Sequence, residues 1–184
     1  MQELSRKSIT LVLGGVRSGK SRYVQMLAAR VSPVAFVATA TRSDEEMRLR
    51  IERHRAERPQ EWRTIEEPLH LDKVLNEEGS KYRIVVIDCL TLYAANILHA
   101  EQGKLTAVEE RLQRLYAALR SVAGSVALVS NEVGSGIVPP FPEGRKYRDL
   151  LGGINQQVAS IADNVLLMVA GLPLALKGTV EVRA

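Results

Sequence analysis

Residues 14–21 read GGVRSGKS and match the phosphate-binding pattern G-x-x-x-x-G-K-[ST] at every fixed position. The glycines let the backbone curl so that successive N–H groups point toward phosphate oxygens. At the end of this phosphate loop, Lys20 can neutralise the β- and γ-phosphates, and the Ser21 hydroxyl can ligate Mg²⁺. The loop follows an apolar run and opens a helical segment, which is the context that the motif requires. The pattern therefore predicts binding of a nucleoside triphosphate.

A second position with phosphate chemistry is Asp88. Residues 84–88 read IVVID, four apolar residues that end in a carboxylate. Many strands end in Asp, but behind an intact phosphate loop this pattern is typical of the strand whose acidic residue holds Mg²⁺ directly or through water. We therefore predict a metal site formed by Ser21 and Asp88. The neighbouring Cys89 is interpreted as a packed small side chain rather than a nucleophile.

His54 lies in the most highly charged part of the chain. In a predicted helix over 43–58, Met47, Ile51 and His54 share one side, and almost every other position is charged. So narrow an apolar face predicts a helix that packs lightly against the rest of the protein and can move. Cationic neighbours favour the neutral imidazole, which is the form that can attack phosphorus. From spacing alone, His54 is either such a nucleophile or a partly buried structural histidine.

Apolar runs that alternate with helical segments position these residues. Near-continuous Val, Ile, Leu and Ala is typical of strands buried on both faces, and intervening helices predict a mainly parallel sheet flanked by helices. A capping box of Ser43 and Glu46 is expected to start the second helix. The predicted strands are 9–13, 34–39, 62–66, 84–88, 126–130 and 165–169, the predicted helices are 21–30, 43–58, 69–78, 90–100, 106–123 and 145–162, and 174–176 with 180–182 could form an edge hairpin.

Length and composition indicate one α/β domain over residues 1–184, with 1–8 expected to be flexible. The single cysteine excludes an intrachain disulfide and is typical of a reducing compartment. No run approaches the roughly 18–20 apolar residues that cross a bilayer, and residues 1–8 lack the apolar segment of a secretion signal. We therefore predict a cytoplasmic protein with no membrane span.

The net charge of +4 does not indicate a nucleic-acid partner. Arginines between positions 48 and 63 are interleaved with glutamates, which is typical of a solvated helix face with a local anion site rather than a long basic stripe. Aromatic residues, on which bases could stack, make up only 4% of the chain. We predict that the protein does not bind nucleic acid.

Longer strings around these motifs resemble one family. They are the phosphate loop itself, ATA at 38–40, DEEMRLRIERHRAERPQEWRTIE at 44–66, NEVGSGIVP at 131–139 and YRDLLGGINQ at 147–156. Together they resemble the bifunctional adenosylcobinamide kinase/adenosylcobinamide-phosphate guanylyltransferase of cobalamin biosynthesis, over about residues 9–172.

The resemblance implies a RecA-like P-loop domain that assembles as a homotrimer and acts on adenosylcobinamide with ATP and GTP. In the first implied reaction, ATP or GTP phosphorylates adenosylcobinamide. In the second, GMP from GTP is transferred to adenosylcobinamide phosphate through a covalent guanylyl-histidine, which gives adenosylcobinamide-GDP. His54 occupies the position of that histidine, so the resemblance favours the nucleophile over the structural alternative.

The resemblance also implies roles for individual residues. Lys20 and His54 would be catalytic, and Ser21 and Asp88 would hold Mg²⁺. Asp88 stands where relatives often carry Glu, so both direct and water-bridged ligation remain open. Independently of the resemblance, Glu132 is expected to form a wall of the site, because doubly wound folds place ligand-facing loops at that end of the strand, and we hypothesise that the proline-containing loop 134–144 covers the corrinoid. The implied nucleotide contacts are Gly14, Gly15, Val16, Arg17, Ser18, Gly19, Lys20, Ser21, Ala38, Thr39, Ala40, Arg55, Ala56, Glu57, Arg58, Glu66 and Asp88.

Three other functions fit parts of the pattern. A P-loop kinase of another small-molecule pathway would need Lys20 and Asp88 but would form no covalent GMP. A RecA-like nucleotide-gated interaction module would hydrolyse nucleotide in response to a partner. A guanylyltransferase without kinase activity would still form a GMP adduct on His54. Labelling of the protein by GTP therefore separates the first two alternatives from the function that the resemblance implies.

Overall fold

The computed structural model describes residues 7–41, 44–56 and 58–178. All six strands and six helices predicted from the sequence are present, with ends that differ by three residues at most. In chain order the elements are β1 (Ile9–Gly14), α1 (Lys20–Ala28), β2 (Val34–Ala38), α2 (Glu45–Ala56), β3 (Arg63–Glu66), α3 (Leu71–Glu78), β4 (Ile84–Asp88), α4 (Leu90–Ala100), α5 (Leu105–Ser121), β5 (Ser125–Val129), α6 (Pro142–Ile161), β6 (Asn164–Val169) and β7 (Leu172–Lys177).

Within the described residues the strands form one seven-stranded sheet in the order β3-β2-β4-β5-β1-β6-β7. Strands β1 to β6 run parallel, and β7 runs antiparallel to β6. Parallel neighbours need crossover connections, which the helices between them supply. The predicted mainly parallel sheet flanked by helices is confirmed. Because parallel strands end at the same edge, the loops after β1, β2, β4 and β5 meet there.

Alternate strand residues build one apolar layer on each face of the sheet. In β4, Val85 and Ile87 belong to the layer covered by α3, α4, α5 and α6, while Val86 belongs to the layer covered by α1. This second layer includes Phe36 and Trp62, whose rings stack with centroids 6.4 Å apart. Burial on both faces explains why the strands read as continuous apolar runs.

The C-terminal strand β7 contains the predicted apolar segment 174–176. It pairs with β6 through a two-residue turn, Ala170 and Gly171, and residues 180–182, the other half of the predicted edge hairpin, lie outside the described residues. Both turn residues have positive φ, 50° and 83°, which matches the turn that closes the tightest β-hairpins. The predicted flexibility of 1–8 falls largely on residues 1–6, which are also outside the described part.

Across 7–41, 44–56 and 58–178, the residues that the structure describes, no helix has both the length and the apolar character of a membrane span.

Helix α2 begins at a cap that involves Asp44. The Asp44 carboxylate accepts a hydrogen bond from the Met47 N–H at 2.8 Å, and its carbonyl oxygen accepts one from the Arg48 N–H at 2.9 Å. An acidic residue is favourable here because it satisfies a free amide and interacts with the helix dipole. The predicted capping box needs Ser43, which lies outside the described residues.

Candidate functional site

The phosphate loop joins β1 to α1 in a conformation that depends on glycine. Gly14 and Gly19 have φ of 148° and 96°. A Cβ on Gly14 would lie 2.5 Å from a carbonyl oxygen of β6, so a larger residue would collide with the neighbouring strand. The Ser18 carbonyl accepts a hydrogen bond from the Gly171 N–H at 3.0 Å. The turn between β6 and β7 therefore holds the phosphate loop from its outer side.

Lys20 folds back over the phosphate loop. It is only 7% exposed, and its Nζ donates a hydrogen bond to the Gly15 carbonyl at 2.5 Å. Burial lowers the pKa of the Lys20 ammonium, while the charge of Asp88 acts to raise it. No side chain in the described part of the protein caps the first turn of α1. A cation beside an uncapped helix start favours binding of phosphate.

Asp88 ends β4 in the middle of the sheet, where several charged groups meet. Its carboxyl group is hydrogen-bonded to the Ser21 side chain. Burial raises the pKa of the Asp88 carboxyl above its ordinary value of 3.8, and this hydrogen bond together with the charges of His54, Arg58 and Lys20 opposes the increase. The carboxylate is therefore the point at which the phosphate loop and the segment around α2 come together.

The donor atoms of Ser21 and Asp88 fit Mg²⁺. Ser21 offers a hydroxyl oxygen and Asp88 a carboxylate oxygen, and both are ligand types that Mg²⁺ prefers. Among the described residues, no group of three His, Cys, Asp or Glu side chains could hold a metal by itself. Phosphate oxygens would have to complete the coordination, as is usual when a metal ion enters with a nucleotide.

Thr39 and Asn96 fix the backbone beside Asp88. The buried Thr39 hydroxyl accepts from the Cys89 N–H and donates to the Cys89 carbonyl, both at 2.8 Å. The Thr39 N–H donates to the Asp88 carbonyl at 3.2 Å, and the Asn96 side-chain amide donates to the Thr39 carbonyl at 2.8 Å. This Thr39 clasp joins the ends of β2, β4 and α4 and fixes the backbone at Asp88.

Cys89 has the properties of a packed side chain. Burial raises the pKa of its thiol to about 11, so the thiol is protonated at neutral pH. A protonated thiol is a poor nucleophile, in agreement with the interpretation from the sequence.

Arg58 follows α2, and its guanidinium, like the Lys20 ammonium, interacts electrostatically with Asp88. Its guanidinium carbon lies 3.7 Å from the centroid of the Phe36 ring, and its Nε is buried without a hydrogen-bond acceptor among the described residues. Burial lowers the pKa of Arg58, and Asp88 and Glu66 counter this. Nearby, Arg55 lies 3.9 Å from Glu66. A guanidinium with an unused buried donor is suited to an anionic ligand.

His54 lies on the inner side of α2. Met47, Ile51 and His54 are each partly buried, as their spacing predicted. None of the α2 side chains whose burial is described is fully buried. His54 interacts electrostatically with the Asp88 carboxyl group, so the imidazole and the phosphate loop both interact with the same carboxylate. The candidate nucleophile and the candidate triphosphate site are therefore near enough to act electrostatically on one carboxyl group.

The other predicted nucleotide contacts are distributed around this centre. Ala38 pairs with Asp88 across β2 and β4, and Ala40 follows the Thr39 clasp. Ala56 is exposed at the end of α2, and Glu57 lies outside the described residues. The structure therefore gathers Lys20 and its neighbours around one carboxylate, whereas Ala56 lies at the periphery.

The loop after β5 lies beside the phosphate loop. The Glu132 N–H donates to the Gly14 carbonyl at 3.2 Å, which joins this loop to the phosphate loop. The Glu132 carboxylate accepts from the Gly134 N–H at 2.6 Å. Glu132 thus has an internal partner in the loop, and its role as a wall of the site stays a prediction.

A polar network beneath this wall was missed from the sequence. The Ser130 hydroxyl donates to the Asn155 carboxamide oxygen at 2.6 Å, and the Asn155 amide donates to the Asn131 carbonyl at 3.0 Å. The Asn131 N–H in turn donates to the Thr91 hydroxyl at 2.8 Å. A lone Asn in the apolar stripe of a predicted helix was the available signal, because a buried amide is costly unless it is paired.

Solved structures with low sequence identity share the fold. A prototypical ATPase from the type III secretion system of pathogenic bacteria aligns with a TM-score of 0.56 at 12% identity, over 87% of this chain and 51% of its own. A protein from Pyrococcus horikoshii aligns with a TM-score of 0.53 at 9% identity, over 95% of this chain and 88% of its own. Such likeness speaks for the fold alone, and it confirms the predicted P-loop α/β architecture.

Sequence relatives agree on one family. The CobU family, described as cobinamide kinase / cobinamide phosphate guanyltransferase, matches residues 10–176. The bifunctional adenosylcobalamin biosynthesis protein CobP of Pseudomonas aeruginosa is 43% identical over 91% of this chain and 96% of its own. The corresponding CobU proteins of Escherichia coli and Salmonella typhimurium are 38% and 36% identical over 91% of this chain and 98% of theirs. The chain therefore belongs to the CobU family of bifunctional cobinamide kinases and cobinamide phosphate guanylyltransferases.

Proposed function

We propose that a single nucleotide site, centred on the phosphate loop and Asp88, carries both activities of the family in this chain. The supporting observation is the surroundings of the Asp88 carboxyl group. It is hydrogen-bonded to Ser21 of the phosphate loop and interacts electrostatically with both Lys20 and His54. A triphosphate on the loop would therefore lie beside the group that accepts GMP.

In the kinase step, the amino-propanol hydroxyl of adenosylcobinamide attacks the γ-phosphorus of ATP or GTP. The bond from that phosphorus to the bridging oxygen breaks, and ADP or GDP leaves. Lys20 would neutralise charge on the phosphates, while the loop amides would orient them. Positioning and charge neutralisation supply most of the catalysis in such reactions. Mg²⁺, held by Ser21 and Asp88, would add further neutralisation of phosphate charge.

In the guanylyl step, a ring nitrogen of His54 attacks the α-phosphorus of GTP and pyrophosphate leaves. A phosphate oxygen of adenosylcobinamide phosphate then attacks the same phosphorus, the P–N bond breaks, and adenosylcobinamide-GDP is released with free His54. Dividing the transfer between two bulky anions into two steps is the advantage of covalent catalysis. The unused buried donor of Arg58 supports a role for this residue in binding the phosphates or the nucleotide.

GTP labelling tests this proposal directly. The protein is incubated with Mg²⁺ and GTP that carries a label on either the α- or the γ-phosphorus, then denatured. We expect retention of the α-label alone, in a bond stable to base and labile to acid. His54→Ala should abolish retention, and the control His99→Ala, which alters an exposed histidine of α4, should retain it. Absence of label in protein that still binds GTP would favour a P-loop kinase of another pathway or a nucleotide-gated module.

We also propose a homotrimer located in the cytoplasm. The supporting structural feature is β7, an edge strand on which Leu172, Leu174 and Leu176 are 72%, 56% and 57% exposed. Alternate residues of a strand share one face, and an exposed apolar edge is typical of a surface that another chain covers. Light scattering of the purified protein should give three times the chain mass. Leu174→Glu should reduce the mass, whereas Leu105→Glu on α5 should leave it unchanged.

A further inference from the structure

Three apolar side chains project into solvent between β5 and α6. Ile137 is 97% exposed, Phe141 71% and Val138 55%. We refer to residues 137–141 as the apolar loop. Neighbouring exposed apolar side chains of this size are uncommon in free proteins and mark places where another molecule binds.

The structure holds these side chains outward. Pro139, Pro140 and Pro142 restrict the backbone of the segment. Arg145 donates hydrogen bonds to the carbonyls of Pro139 and Pro140 at 3.1 and 2.7 Å. Gly144 packs so closely that a Cβ there would lie 2.8 Å from the Pro139 Cβ. Because the backbone is fixed at several points, the apolar side chains cannot easily turn toward the core.

The apolar loop is connected to the nucleotide site through its N-terminal side. Val133 packs against the main core, and the preceding Glu132 N–H donates to the Gly14 carbonyl at 3.2 Å. The segment therefore leaves the carboxyl edge of the sheet next to the phosphate loop. This is the edge at which ligands of open α/β sheets bind.

We propose that the apolar loop binds one face of the corrin macrocycle of adenosylcobinamide, so that the hydroxyl side chain of this substrate reaches the phosphate loop. This inference rests on the proposed function. The faces of a corrin macrocycle are broad and apolar, and its rim carries amide groups. Ile137, Val138 and Phe141 provide apolar contact for such a face. Around them, the backbone groups of the exposed residues 134–136 can form hydrogen bonds with the rim.

Binding of cobinamide to the whole protein tests the inference. The double variant Ile137→Ser/Phe141→Ser removes two exposed side chains, so we expect it to fold normally. Its affinity for cobinamide, measured by calorimetry, should fall by at least about tenfold, the usual cost of truncating a binding anchor. The KM for adenosylcobinamide should rise similarly, while the KM for GTP stays the same. The matched control Leu105→Ser alters a side chain that is 58% exposed on α5 and should bind cobinamide normally.

GMP labelling without corrinoid separates the two proposals. Labelling needs the nucleotide site and His54 but not the apolar loop, so the double variant should be labelled as fast as the unmodified protein. Unchanged cobinamide affinity in a double variant that still labels would overturn the inference and leave the proposed function intact. A smaller molecular mass of the double variant would also overturn it, because the loop would then be a contact between copies of this chain. Failure of the unmodified protein to label would instead overturn the proposed function.

Discussion

Helices α1 and α2 both approach Asp88, but they are attached to the protein in opposite ways. α1 buries Lys20, Tyr23, Val24 and Ala28, and its loop is hydrogen-bonded to the turn after β6. α2 has no fully buried side chain among those whose burial is described. Its Arg48 instead pairs with Glu45 and Glu52 of the same helix, contacts that would persist if the helix moved as a unit.

The difference in packing between α1 and α2 suits two different roles in the reactions. A triphosphate must be held in one place for both reactions, and a phosphate loop attached to the deeply packed α1 suits this requirement. The proposed GMP acceptor must approach the α-phosphorus and later present GMP to a bulky corrinoid. A helix with few buried contacts can open at a low free-energy cost, since local opening depends on how much apolar contact is lost. The comparison thus predicts that α1 serves both reactions and α2 only one.

Among the changes expected to affect both reactions, Lys20→Ala should have the largest effect. Because Lys20 would neutralise the triphosphate in both reactions, kcat/KM for phosphorylation and for GMP transfer should each fall by about 10²–10³-fold, as for loss of one strong electrostatic contact. Arg22→Ala, an exposed change on α1, is the control.

His54→Ala should abolish GMP transfer and leave the rate of phosphorylation within about threefold of that of the unmodified protein. Loss of both activities in His54→Ala would break the proposed division of tasks.

A smaller effect is expected when the Thr39 clasp is removed. The clasp holds the backbone at Asp88, and so it belongs with the firmly held phosphate loop and α1 rather than with α2. Thr39→Val keeps the shape of the side chain but removes both hydrogen bonds to Cys89. We expect kcat for both reactions to fall roughly tenfold or more, since a displacement of about 1 Å at a reacting centre can cost 10²-fold. The Mg²⁺ concentration for half-maximal rate should also rise. Thr39→Ser keeps the hydroxyl and should restore both values to near those of the unmodified protein.

Stability provides a third test, because it reports packing without any chemistry. Val24 of α1 is completely buried, whereas Ile51 of α2 is partly buried. Val24→Ala should lower the free energy of unfolding by about 2 kcal/mol through the cavity that it leaves. Ile51→Ala should lower it by less than about 1 kcal/mol. Equal losses in urea unfolding would mean that α2 is packed as firmly as α1.

The phosphate loop and the sheet could be predicted because their signals are local. A complete phosphate-binding pattern lies between an apolar run and a helix, and each strand buried on both faces reads as its own apolar run. The Thr39 clasp could not be predicted, because it depends on the ends of three elements meeting in space. The pairing of β7 with β6 was not predicted for a similar reason, since a two-residue turn at Ala170 and Gly171 decides it. Spacing alone also left two interpretations of His54, and the family resemblance supplied the choice.

The smallest expected effect concerns Asp88, the group that the two helices share. Burial raises the pKa of its carboxyl in the folded protein despite the nearby Lys20, His54 and Arg58, so burial outweighs their attraction. The folded state then binds the proton more tightly than the unfolded chain, and stability falls as pH rises from the unfolded pKa through the folded pKa. Above that window the ionised carboxylate destabilises the fold without nucleotide, and below it the effect disappears.

Asp88→Asn removes this ionisation and keeps an oxygen that can accept the Ser21 hydrogen bond. Without nucleotide or Mg²⁺, the variant should therefore melt higher than the unmodified protein at pH 8, by about 2–4 °C for each kcal/mol gained. The difference should shrink as the pH approaches 4, while both activities with Mg²⁺ should fall. Thermal unfolding of the two proteins across this pH range measures the effect. The opposite result would be a variant whose melting temperature, relative to that of the unmodified protein, is lower at pH 8 than at pH 4. It would mean that the nearby cations stabilise the Asp88 carboxylate more than burial destabilises it. Helices α1 and α2 would then both be held by electrostatic attraction to Asp88, which would weaken the contrast between them.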